Sequence, residues 1–81
     1  MQAPSIEPSP PHWEPLERRL APLQCAEFMW MYRQGGLEHY KHTETRKYLR
    51  LDGEGRCFVP AEGGWKEVLF ENEWKRVSGR A

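Results

Sequence analysis

Residues 28–42 read FMWMYRQ-GG-LEHYKH, two runs rich in aromatic and apolar residues joined by Gly35 and Gly36. A glycine pair in that position suits a type I′ turn, in which both central residues need positive φ. The spacing therefore predicts a β-hairpin in which Arg33 faces Glu38, Tyr32 faces His39, Met31 faces Tyr40 and Trp30 faces Lys41. The alternative is a helix over residues 22–34 that stops at Gly35, because Ala26, Glu27, Met29, Met31 and Gln34 are good helix formers.

Six of the seven glycines fall into three clusters, at 35/36, 53/55 and 63/64, and each cluster separates apolar runs. Residues 47–52 alternate, with Leu49 and Leu51 on one face and Tyr48 and Arg50 on the other, which is strand periodicity. Asp52-Gly53 then reverses the chain. Residues 56–59 return as a strand expected to stop at Pro60, and residues 65–68 form a last short one.

Helices are expected at both ends. Trp13, Leu16 and Leu20 lie at i, i+3, i+7 with Pro15 in the first turn, so a short helix over residues 15–21 is predicted, ended by Pro22. Near the C-terminus Phe70, Trp74 and Val77 repeat at i, i+4, i+7 and Gly79 supplies a stop. A hairpin around Glu71 and Asn72 is the alternative there. The sum is an α+β fold, a small antiparallel β-meander of four to five strands flanked by a short N-terminal and a short C-terminal helix.

Eighty-one residues allow one compact unit, expected over residues 13–78, and a marginal core. Four Trp, three Tyr and three Phe offset the small size by the large apolar area each removes from water. Residues 1–12 hold four of the seven prolines and are expected to form a flexible, extended arm. They lack both a basic start and a continuous apolar segment, so no signal or membrane anchor is read there and a cytoplasmic location is expected. Cys25 and Cys57 are then read as buried free thiols.

No motif joins the cysteines, serines, histidines and carboxylates into a nucleophile, base and orienting partner, so the chain is read as non-catalytic. The DGEG segment lacks the helix and lysine of a phosphate loop. No cofactor and no metal site are expected. His39 and His42, three apart on a strand, point to opposite faces, neither cysteine belongs to a Cys-x-x-Cys pair, and the imidazoles are expected to be partly exposed.

One stretch stands out. HYKHTETRKYLR, residues 39–50, carries a local charge of +3 inside a chain of zero net charge. If Trp30, Tyr32, His39 and Lys41 share a face, with Arg46, Lys47 and Arg50 beside them, a surface of rings and cations results. That surface is expected to serve a protein partner or a second copy of the chain; single-stranded nucleic acid, which such faces bind by stacking and phosphate contact, is the alternative. The opposing reading is a solvated basic strand face over aromatic residues that only pack. Trp13 and Trp74 are assigned to helix stripes facing the core, and Trp65, after a glycine turn, to partial exposure.

Overall fold

The structure is a computed structural model that describes residues 10–79. Two single-turn helices, α1 (Glu14–Glu17) and α2 (Pro22–Cys25), lead into five strands: β1 (Phe28–Gln34), β2 (Leu37–His42), β3 (Tyr48–Leu51), β4 (Cys57–Ala61) and β5 (Gly64–Val68). Helix α3 (Phe70–Ser78) closes the chain. The strands pair antiparallel in the order β1-β2-β3-β4-β5, so the α+β meander read from the glycine punctuation is the fold.

Gly35 and Gly36 have φ of +66° and +77°, and the hairpin they close pairs Arg33 with Glu38 and Tyr32 with His39 as the spacing predicts. The register then slips. A β-bulge at Met31 sets Trp30 opposite Tyr40 and Met29 opposite Lys41, replacing the expected Met31–Tyr40 and Trp30–Lys41 pairs. Because side chains alternate with period two, one extra residue sends everything before it to the other face of the sheet. Trp30 thereby leaves the face of Tyr32 and packs against the core.

All three helices contribute to the core on one face of the sheet. Leu16 and Leu20 before α2, Cys25 in α2, and Phe70 and Val77 in α3 join Phe28, Tyr40, Leu49, Leu51 and Cys57, with Trp13, Trp30, Val68 and Trp74 packed against them. The helix expected over residues 15–21 is shorter than its stripe. Pro22 forces Ala21 into an extended conformation and begins a second helical turn instead of only ending the first. Gln24 Oε1 accepts the Ala21 N–H at 2.9 Å, so a side chain of the new turn reaches back and satisfies the backbone donor of the residue that precedes it.

β4 runs through Pro60 to Ala61, past the expected stop. The β3–β4 ladder pairs Arg50 with Phe58 and Leu51 with Cys57 and goes no further, so the missing N–H of Pro60 faces no β3 acceptor. α3 is a helix with Gly79 as its left-handed cap, which excludes the hairpin around Glu71 and Asn72. Of the expected N-terminal arm, residues 1–9 lie outside the described residues; His12 is held by the domain, its carbonyl accepting the Tyr40 hydroxyl at 2.7 Å.

A Cβ added at Gly36 would meet nothing within 4 Å, so a side chain there tests backbone strain alone. Gly36→Val is expected to destabilise the domain by about 1–2 kcal/mol, measured as a shift in the urea midpoint at unchanged slope.

Candidate functional site

The sheet has two chemically distinct faces. On the core face, Glu38 is 4% exposed and serves as acceptor for three groups: Trp30 Nε1 at 2.7 Å, Arg33 Nε at 2.6 Å and His12 Nδ1 at 3.0 Å. Burial alone would push this carboxyl up, but the hydrogen bonds from Trp30, His12 and Arg33 outweigh it and hold Glu38 below the usual carboxylate range. His42, also on this face, has both ring nitrogens committed. Nδ1 accepts the Glu44 and Thr45 backbone N–H groups at 3.2 Å each, so Nε2 carries the proton and donates to Glu27 at 3.1 Å. That is a histidine fastening the β2–β3 connection, with no nitrogen free to act as a base.

The opposite, outer face carries Met29 and Tyr32 from β1, Leu37, His39 and Lys41 from β2, Tyr48 and Arg50 from β3, Phe58 from β4 and Trp65 from β5. Their rings and cations touch one another. Tyr32 stacks on the His39 ring at 4.5 Å between centroids, and the Trp65 indole meets His39 edge-on at 5.9 Å. The Arg50 guanidinium lies 5.2 Å from the Tyr48 ring centre and 5.4 Å from that of Trp65, while Lys41 Nζ is 5.9 Å from Tyr48. Each such contact contributes roughly 0.5–1 kcal/mol, more where water is excluded.

Of the seven residues singled out from the sequence, Tyr32, His39, Lys41 and Arg50 come together on this face. Trp30 does not: the bulge turns it inward, where burial of its ring and its hydrogen bond to Glu38 both favour the core. Arg46 and Lys47 lie exposed in the β2–β3 connection, off the sheet face, and Arg46 has φ of +64°. The expectation of partly exposed imidazoles is also corrected, since His39 and His42 are each 2% exposed. They do point to opposite faces. Tyr48 was legible as the strand neighbour of Arg50, whereas nothing local signals that Trp65 folds back over His39.

Cys25 and Cys57 are free and buried. Burial raises both thiols, and Cys57 is pushed up to about 12, so at neutral pH neither supplies a thiolate nucleophile. Among the described residues no three His, Cys, Asp or Glu side chains converge as a metal ion requires, and no helix is long and apolar enough to cross a membrane. An open, largely apolar groove of about 490 Å³ lies beside α1 and α2, lined by Trp13, Glu17, Leu20, Pro22 and Phe28 among others. Comparison of the chain with protein-family models, curated proteins and solved structures finds no match.

Glu38 yields a pH prediction with a definite sign. Its folded-state pKa lies below the unfolded value, so its contribution is fully present above about 4.5 and is lost as the pH falls through the carboxylate range. Glu38→Ala, which strands Trp30 Nε1 and leaves Arg33 unpaired, is expected to cost about 3–5 kcal/mol at pH 7. The milder Glu38→Gln should flatten the wild-type decline below pH 4.5, read from urea midpoints across the acid range.

Proposed function

We propose that this chain is a non-catalytic binding module whose outer sheet face contacts a protein surface. One observation carries the reading. The helices cover one face of the sheet, yet the other bears Met29, Tyr32, Leu37, Tyr48, Phe58 and Trp65 where a face meant only for water would alternate to small polar residues. Met29 and Trp65 remain 40% and 43% exposed there, and Met31 at the bulge is 38% exposed. Aromatic and Met side chains are enriched in protein interfaces because they offer large contact area and adapt to a partner's shape.

The experiment is association measured on paired variants. Sedimentation equilibrium reports a second copy as the partner, and pull-down reports a different protein. The expected result is that Met29→Lys with Trp65→Lys abolishes the association by at least tenfold, while Leu23→Lys, a change at an 84% exposed leucine on α2, leaves it intact. Association that survives the outer-face variant, or that Leu23→Lys removes equally, would discard the reading.

A second reading, single-stranded nucleic acid, is favoured by one feature. Lys41 and Arg50 both lie against Tyr48, and Arg46 and Lys47 stand at the adjoining connection, so four cations gather around partly exposed rings. If all four meet phosphates, affinity for oligo(dT) should fall with added salt with a log–log slope of roughly −3. Fluorescence titration at three salt concentrations, with Lys41→Ala and Arg50→Ala lowering the slope, is the measurement.

A further inference from the structure

Beyond Phe58 the β4–β5 hairpin has left the sheet. β3 stops pairing with β4 there, while β4 and β5 stay paired as far as Ala61 and Gly64, so residues 59–66 form a two-stranded arm. This arm bends back over the outer face. Trp65 reaches the His39 ring and the Arg50 guanidinium, and a Cβ built at Gly35 in the first hairpin turn would lie 3.6 Å from its indole nitrogen.

What lies beneath is polar and closed from solvent. His39 is 2% exposed between Tyr32 and Trp65, and its Nε2 lies 3.3 Å from the Gln34 carbonyl. A carbonyl only accepts, so Nε2 carries the proton and Nδ1 is left as a bare acceptor. Among the described residues neither His39 Nδ1 nor Arg50 Nε has a hydrogen-bond partner, although both atoms are buried. Leaving such atoms unpaired is costly, so admitting water to them offsets part of what lifting the cover loses.

The surroundings decide what a proton would do. β1 presents Tyr32 and the Gln34 carbonyl, β3 presents Arg50 with Tyr48, and β5 presents Trp65. Lys41 follows His39 on the same face of β2, and Glu67 shares the face opposite Phe58, three strands from His39 with Arg50 and Phe58 between them. Glu38 neighbours His39 in sequence but points to the core, with its carboxylate held by Trp30, Arg33 and His12. No carboxylate forms an ion pair with His39 among the described residues.

We infer that His39 is a proton-operated latch for the β4–β5 arm: a proton on Nδ1 places a second cation beside Arg50 with no acceptor for the new N–H, and Trp65 lifts to admit water. Lifting it would uncover Tyr32, Tyr48 and Arg50, so acidification makes the outer face available. That consequence for binding rests on the outer-face reading above; the latch itself does not. Burial first, and then the charge of Arg50, hold the imidazole below the ordinary histidine value, against the opposing pull of the Gln34 carbonyl and Glu38. The sign follows. The closed arm is favoured above the open-state pKa, near 6.5, and is weakened as the pH falls from there toward the lower closed-state value.

The test uses the full chain without any partner. Nuclear Overhauser contacts of the Trp65 ring with His39 and Arg50, and the shifts of these groups, are followed by NMR from pH 7.5 to 5, with backbone hydrogen exchange of the sheet recorded in parallel. The expected result is an open population rising by up to about tenfold per pH unit below 6.5, with β1–β3 still protected. His39→Gln, which cannot take up the proton, should remove that dependence. Trp65 contacts that do not change with pH, or a dependence that persists in His39→Gln, overturn the latch. If the mutant does not fold, Trp65→Ala provides the second measurement: the His39 pKa should move up toward the ordinary value, and an unchanged value overturns the latch equally. Repeating the association assay at pH 7.5 and 5.5 separates the two ideas, since an arm that opens while association stays constant supports the latch and removes only its consequence for binding, whereas the Met29→Lys with Trp65→Lys variant tests the outer face itself.

Discussion

A buried carboxylate with three donors organises this domain. Glu38 sits on the core face of β2 and draws Trp30 and Arg33 from the neighbouring strand and His12 from the N-terminal segment onto its two oxygens. An ion placed there without partners would cost several kcal/mol, so its hydrogen bonds are a condition of folding and not an addition to it. Meeting them has a geometric consequence. Arg33 and Trp30 are three residues apart and in a regular strand would point to opposite faces; the bulge at Met31 brings both onto the core face.

The two faces of the sheet follow from that bulge. With Trp30 inward, the core gains a large ring beside Tyr40 and Phe28, which matters in a domain too small to bury much aliphatic area. With Trp30 absent from the outer face, Met29 takes the place opposite Lys41, and the ring that closes over His39 comes from the far edge of the sheet, from Trp65. The outer face is thus neither a bare stacking platform nor a solvated sheet surface. Its cations lie on its own rings, and its least exposed group, His39, lies under a two-stranded arm that the rest of the sheet does not hold by backbone pairing. Local opening free energies are lowest where backbone pairing and buried contacts are few, which places that arm among the more easily opened parts of the molecule.

Much of this architecture was legible in the sequence. Glycine clusters at 35/36, 53/55 and 63/64 marked every strand reversal except the β2–β3 connection, because five of the six, all but Gly53, take the positive φ that glycine adopts without cost. The alternation in residues 47–52 placed Tyr48 with Arg50 and Leu49 with Leu51 correctly, and the 3.6-residue repeat from Phe70 to Val77 identified α3. Tyr32, His39, Lys41 and Arg50 were grouped correctly because they lie on the unbulged side of the hairpin or across its regular ladder. Trp30 was misplaced for the complementary reason: counting outward from a turn assumes strict pairing, and a bulge leaves no consistent residue signature.

The sequence by itself favoured the meander and the C-terminal helix over their alternatives and determined the glycine-marked turns and the alternation of residues 47–52, all of which follow from local backbone sterics and side-chain period. Tertiary structure alone decided which face received Trp30, that Glu38, His39 and His42 are buried, and that Trp65 returns over residues 26 positions earlier in the chain. Those outcomes depend on finding donors for a buried carboxylate and cover for aromatic rings among residues distant in sequence. No local pattern encodes them, because the partner of a buried polar group is fixed only when the packed chain leaves it one place to go.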